Sequence, residues 1–166
     1  MSIIYVVIAK SEDRILCEYS DSVGNFEQIA RSLLTEIHPQ HKATFSYDDI
    51  YFFHYLNSNG ITYMCMCNND FSKRSAYTFL EDIKNTFLSS FSLIQIEQSS
   101  SYKFSEPFKE KLKSKIVFYF LNQDYYINRS NEIEALSKAL NNHDGHQNLN
   151  SESLLGIMIE MNRIMH

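Results

Sequence analysis

Ile3 to Ile8 is an unbroken β-branched and aromatic run stopped by the polar Ser11-Glu12-Asp13. Ile15 to Tyr19 follows at hairpin distance, so the chain opens on two strands. After Gly24-Asn25 the period lengthens: Phe26, Ile29, Ala30, Leu33, Leu34 and Ile37 recur at helical spacing and Pro39 closes the stretch, predicting an amphipathic helix with one apolar stripe. Lys42 to Tyr47, Ile50 to Asn57 and Ile61 to Cys67 then read as three strands. Asp48-Asp49 and Ser58-Asn59-Gly60 separate them, and Asn-Gly accepts the positive φ of a tight turn. Beyond Asn68-Asn69-Asp70, Ala76, Phe79, Leu80, Ile83 and Phe87 mark a long helix ending near the serine-rich stretch 89–101. Phe108, Leu112 and Ile116, four apart with lysines between them, mark another helix from Ser105.

The order is ββαβββαα, which predicts an α+β domain: a five-stranded, antiparallel-rich sheet with helices covering both faces. The compact unit is expected to span residues 1–122. Residues 123–150 are rich in Asn and His and read as a linker, with Ile133, Leu136 and Leu140 at the spacing of a short helix inside it. The last segment, 151–166, changes character again. Leu154, Met158, Met161 and Met165 step by four, three and four and line one seam of a coiled-coil helix, with Ser151, Glu152 and Ser153 suited to its N-terminus. Ile157 and Ile164 widen that apolar face, so the same helix suits either an intermolecular bundle or a groove on its own domain.

Composition narrows the function classes. Hydrophobic residues are 44% and charged residues 21% of the 166, close to ordinary globular usage, and 12 Phe with 11 Tyr supply core bulk without any Trp. The net charge of −5 argues against a nucleic-acid partner or long-range attraction to an anionic membrane, and points to protein partners. Cys17, Cys65 and Cys67 form an odd set without half-cystine spacing, as expected in a reducing compartment. The apolar N-terminus is too short for a secretory leader, and the run at 116–121 is far shorter than the roughly 20 residues of a membrane span. The chain is expected to be soluble.

Candidate catalytic chemistry is thin, and no enzyme, cofactor or metal is expected. Cys65 and Cys67 share one face of a strand but have no further soft ligand nearby, while His38, His41 and His54 lack zinc-site spacing. Neither a glycine-rich phosphate loop nor a nucleophile elbow is present. Asp48, Asp49, Asp70, Glu81 and Asp82 fall at turns or on polar helix faces, where capping and solvation are their usual roles. Lys109, Lys111, Lys113 and Lys115 read as a solvated helix face rather than a lipid-binding one.

Gly24-Asn25-Phe26 before the first helix, Tyr51-Phe52-Phe53-His54-Tyr55 on the fourth strand and Asp70-Phe71 before a helix carrying Ala76-Tyr77-Thr78-Phe79-Leu80 resemble the longin-bearing vesicle-associated membrane proteins. The resemblance runs through residues 1 to about 120, and Gly156-Ile157-Met158 is similar to the opening of the same proteins' SNARE motif. It implies the profilin-like longin fold and a role in vesicle trafficking and membrane fusion. An R-SNARE of this kind contributes one helix to a bundle with Q-SNAREs, and its longin domain regulates that step. It acts on the cytoplasmic face of a vesicle or endomembrane, endosomal, lysosomal or ER–Golgi.

The resemblance also implies a hydrophobic groove between the first helix and third strand, which receives either the protein's own SNARE segment or a fragment of a trafficking adaptor. By position, Ala43 and Phe45 are its strand contributors and Leu33 and Leu34 its helix contributors; core packing is the competing reading for the two leucines. The seam ends at Met165, before the arginine of the family's central ionic layer, so the expectation is either a longer parent protein carrying the rest of the motif and a membrane anchor, or a natural short form acting as a binding module. The alternative is a longin-fold subunit of a vesicle coat or tethering complex without SNARE activity.

Overall fold

The structure, a computed structural model, describes residues 3–20, 22–37, 42–123, 128, 131–132 and 134–139. The chain divides into two units, Met1–Asn122 and Gln123–His166. In the second, residue 128, residues 131–132 and residues 134–139 are helical, and Lys138 Nζ pairs with Glu134 at 2.7 Å, one helical turn apart. Leu154, Met158, Met161 and Met165 lie outside the described residues, as do His38 and His41.

The first unit runs β1 (Ile3–Ser11), β2 (Arg14–Ser20), α1 (Phe26–Glu36), β3 (Lys42–Tyr47), β4 (Tyr51–Ser58), β5 (Ile61–Asn68), α2 (Lys73–Ser90), α3 (Leu93–Gln98) and α4 (Ser105–Leu121). The strands form a five-stranded sheet in the order β2-β1-β5-β4-β3, and every pairing is antiparallel. The turn chemistry accounts for its hairpins. Asn59 and Gly60 adopt φ of 54° and 70°, and Asp48 and Asp49 take left-handed φ of 58° and 53°, a conformation their short polar side chains tolerate.

Seven consecutive residues of β5, Ile61 to Cys67, are buried, so the middle of the sheet needs cover on both faces. One face presents Tyr5, Val7, Ala9, Met64, Met66, Phe53 and Tyr55, and packs against Ala30 and Leu34 of α1. On the other face, where Val6 stands opposite Cys65 and Ile8 opposite Tyr63, α2 packs over β4 and β5, and α4 over β2 and against α2. Phe87 of α2 is the hub there. Its ring meets Tyr63, Phe91, Phe104 and Phe108 with centroids 5.1–6.3 Å apart, all edge-on, the geometry aromatic quadrupoles favour.

The serine-rich stretch 89–101, read above as the end of a helix, contains α3. Ser92 Oγ accepts from Gln95 N at 3.2 Å and Gln95 Oε1 accepts from Ser92 N at 2.9 Å, a capping box that starts a helix of six residues with Ile96 buried. Arg14 then donates to the carbonyls of Ile96 and Ser99, each at 2.9 Å, tying the end of α3 to β2. The backbone N–H groups of Tyr102 and Phe104 bond the carbonyls of Ile15 and Leu16, so the 102–104 segment engages β2, one edge strand of the sheet; β3 is the other.

His54 is 3% exposed and its Nδ1 lies 2.9 Å from Thr44 Oγ1, which lies 2.9 Å from Tyr77 OH. Burial first, and the charge of Lys73 second, push its pKa from 6.5 down to about 4. The folded state therefore holds His54 neutral where the unfolded chain takes up a proton. The group contributes no pH dependence above 6.5, and folding stability falls as pH drops from 6.5 towards 4. The expected loss is at most about 1.4 kcal/mol per pH unit across that window. Urea midpoints at neutral pH and at its acid end measure it, and His54→Gln is expected to flatten the difference relative to the unaltered chain.

Candidate partner-binding groove

Helix α1 is 11 residues long and its stripe is wider than one core contact: Ala30 and Leu34 are buried, while Phe26, Ile29, Leu33 and Ile37 are only half-buried. Its polar ties lie on one side. Arg31 donates to the hydroxyl of Tyr102, approaches the carbonyl of Glu12 at 3.5 Å and the carboxylate of Glu18 at 3.9 Å, and Glu18 also accepts from Tyr5 OH at 2.8 Å. Those bonds hold α1 towards the β1–β2 end of the sheet. The β4–β3 end of the same face is left with thinner cover.

Strand β3 supplies the far side. Phe45 stands opposite Phe53 and Ala43 opposite Tyr55, so both point to the α1 face, as does Tyr47 opposite Tyr51. Phe53 and Tyr55 are buried at 0% and 2% exposure and make the floor. Ala43, Phe45, Tyr47 and Tyr51 stay half-buried against it. Phe45 stacks on Tyr55 at 5.8 Å with 16° between the rings, Tyr47 meets Phe53 edge-on at 6.3 Å, and Phe26 meets Tyr51 edge-on at 6.3 Å. Gly24 has a local role at that end, since a Cβ there would fall 2.5 Å from the Phe26 ring.

The structure thus brings Leu33, Ala43 and Phe45 into one apolar strip, whereas Leu34, 8% exposed, belongs to the core beneath it. Ile29, Ile37, Tyr47 and Tyr51 join the strip without having been assigned to it from sequence; Ile29 and Ile37 were visible on the helical stripe, but periodicity does not separate rim from core. Chemically the strip is suited to an apolar helix face or extended segment and contains no nucleophile or acid–base pair. Cys65 and Cys67, with sulfurs 3.8 Å apart, are buried on the opposite face, and burial holds the Cys67 thiol well above its usual pKa. Among the described residues no group of three or more His, Cys, Asp or Glu is placed to hold a metal ion.

The sequence profile of the longin, or regulated-SNARE-like, domain matches residues 16–112, a span from β2 into α4 that includes both sides of the strip. The chain belongs to the longin family. Among curated proteins it is similar to vesicle-associated membrane protein 7B of Dictyostelium discoideum, 41% identical over 90 residues that make up 54% of this chain and 34% of the relative. It is also 30% identical over 125 residues to vesicle-associated membrane protein 714 of Arabidopsis thaliana, covering 74% of this chain and 55% of that one. Vesicle-associated membrane protein 7 of Rattus norvegicus matches at 26% over 136 residues, 81% of this chain and 60% of the relative. The longin chain therefore spans between about a third and three fifths of these relatives' lengths. Among its described residues no helix is long and apolar enough to cross a membrane.

The division of the longin stripe into core and rim is testable by stability. Leu34→Ala is expected to cost about 2–4 kcal/mol, a buried large-to-small change. Phe45→Ala, removing a half-exposed ring, is expected to cost about 1–2 kcal/mol. Urea denaturation of the two variants distinguishes rim from core, and equal losses would place Phe45 in the core.

Proposed function

We propose that this chain is the regulatory portion of an R-SNARE, a binding module rather than an enzyme, and that the α1–β3 strip is where an apolar segment docks to control SNARE assembly. The observation that carries this reading is the half-buried row Leu33, Ala43, Phe45 and Tyr47 over a buried aromatic floor, an apolar surface left open beside a completed core. The occupant is either the chain's own terminal segment, whose seam runs Leu154, Met158, Met161 and Met165, or a fragment of a trafficking adaptor. The terminal segment carries a row of apolar residues of the kind a hydrophobic groove receives. The full protein then acts in vesicle trafficking at the cytoplasmic face of a vesicle or endomembrane, pairing with Q-SNAREs through a complete SNARE helix. The names of the relatives support this reading over a coat or tethering subunit, because they are vesicle-associated membrane proteins.

Phe45→Ser tests it. Fluorescence anisotropy with a labelled peptide of residues 151–166 and the unit ending at Asn122 is expected to show saturable binding weakened at least about tenfold by the substitution, since a central aromatic anchor carries a disproportionate share of interface energy. In the full-length parent the same change is expected to speed assembly with Q-SNAREs by freeing the SNARE segment. If peptide binding, adaptor binding and assembly rate were all unchanged, the strip would not be the docking site.

A further inference from the structure

The opposite face of the sheet carries a second concavity, separate from the α1–β3 strip and independent of the function proposed for it. It lies beside the first turns of α2, where Lys73, Arg74, Tyr77 and Glu81 meet Lys42 of β3 and Leu56 of β4 around a cavity of about 540 Å³. Strand register explains the strand contributors: Lys42 and Leu56 stand directly opposite each other, two residues along from the Thr44–His54 pair that faces α2. Helix spacing explains the rest, because Lys73, Tyr77 and Glu81 recur every four residues, and Arg74 and Thr78, also four apart, form the adjoining row.

The charge balance here runs against that of the molecule. The chain carries a net charge of −5, yet this wall gathers three cations and one carboxylate, and that carboxylate, Glu81, is paired with Lys84. Among the described residues, none of Lys42, Lys73 and Arg74 takes part in an ion pair, and all three are exposed. Lys10, Arg31, Lys84, Lys109 and Lys115 each have a carboxylate within ion-pair distance. Arg14, Lys111 and Lys113, which like Lys42, Lys73 and Arg74 have no ion pair among the described residues, engage carbonyls, a hydroxyl or a ring elsewhere.

Part of the wall is also fixed in place. Lys42 Nζ lies 5.1 Å from the centre of the Tyr77 ring, a cation–π distance, and Tyr77 is anchored through its hydroxyl to Thr44 and thence to His54. Burial holds the His54 pKa down to about 4, so His54 adds no positive charge behind this wall near neutral pH. Like charges lining one concavity repel, and an anion seated among them relieves that repulsion.

The chemistry selects the anion. A guanidinium offers a planar fork matched to phosphate oxygens, and two ammonium groups add point charges, a set suited to a dianion with three acceptor oxygens rather than to a single carboxylate. The volume exceeds what a bare phosphate needs and falls in the range of about 300–1,000 Å³ common for small-molecule sites, while Leu56 and the Tyr77 ring give apolar contact to an organic body. We infer that this pocket binds a phosphomonoester carried on a small organic body, as a free metabolite or as a lipid headgroup.

The test uses the whole 166-residue chain, with inositol trisphosphate as the probe and unphosphorylated inositol as its control. Calorimetry is expected to give saturable one-to-one binding of inositol trisphosphate and none of inositol. Lys73→Gln with Arg74→Gln is expected to weaken binding at least about tenfold, and Lys42→Gln, on a different element, to weaken it several-fold. Lys109→Gln with Lys113→Gln removes the same charge from α4 and is expected to leave binding within about twofold. Absence of saturable binding, or equal losses in the two double variants, would overturn the inference. So would capture of an acidic peptide at Lys73 and Arg74 without binding of inositol trisphosphate. Co-sedimentation with phosphatidylcholine vesicles containing phosphatidylinositol bisphosphate, lost in Lys73→Gln with Arg74→Gln, assigns the site to a lipid headgroup; binding in solution without co-sedimentation assigns it to a free metabolite.

Discussion

The pairing of β1 with β5 at the centre of the sheet sets the terms for everything else. Both strands are buried along most of their length, so both faces of the sheet have to be covered. Five strands at about 4.8 Å spacing span roughly 19 Å across, and a helix with its side chains is about 10–12 Å wide. Two helices, α2 and α4, lie side by side on one face. The other face has α1 among the described residues, and one helix does not reach across it. An incompletely covered apolar strip is the geometric remainder of a five-stranded sheet with two helices on one side and one on the other.

Where that remainder falls is decided by polar chemistry. Arg31, Glu18, Tyr5 and Tyr102 draw α1 towards β1 and β2, so the thinner cover is displaced to β4 and β3. Burying the β4 aromatics Phe53 and Tyr55 makes the floor of the strip, and the edge strand β3 adds a rim of half-exposed rings. Two layers are thus stacked on one surface: the buried layer holds the fold, and the layer above it stays half-exposed to solvent. On the opposite face the same logic ends differently. There α2 and α4 cover the centre of the sheet, and a concavity lies at the β3 edge, where Lys42, Lys73 and Arg74 stand around an apolar surface that includes Leu56 and Tyr77.

Much of this was legible in the chain because strands, turns and helices carry local signals. Asn59-Gly60 gives its turn by φ alone, and the stripes from Phe26 and from Ala76 give α1 and α2 by period. Helix α3 was not legible, since six residues are too few to show a period; Ser92 and Gln95 are the signal that could have found it. The strip was legible only in part. Leu33 and Leu34 are adjacent on one broad stripe, and which of them is rim depends on where the helix sits over the sheet, a consequence of Arg31 meeting Tyr102, 71 positions further along the chain. Lys42 and Arg74 likewise come together through strand order and helix placement, so no local pattern announces their pocket.

The claim on which the account turns is that the ring at position 45 is open to water in the domain alone and covered when a segment docks. The chain has no tryptophan, so Phe45→Trp introduces a single fluorophore at that point, and Phe87→Trp provides a fully buried reference. In the unit ending at Asn122, acrylamide is expected to quench Trp at position 45 readily and Trp at position 87 poorly. Adding the peptide of residues 151–166 is expected to shift the emission at position 45 to the blue and protect it, with no change at 87. A fluorophore at position 45 as shielded as the one at 87 in the domain alone, or one that stays open at saturating peptide, would contradict the account.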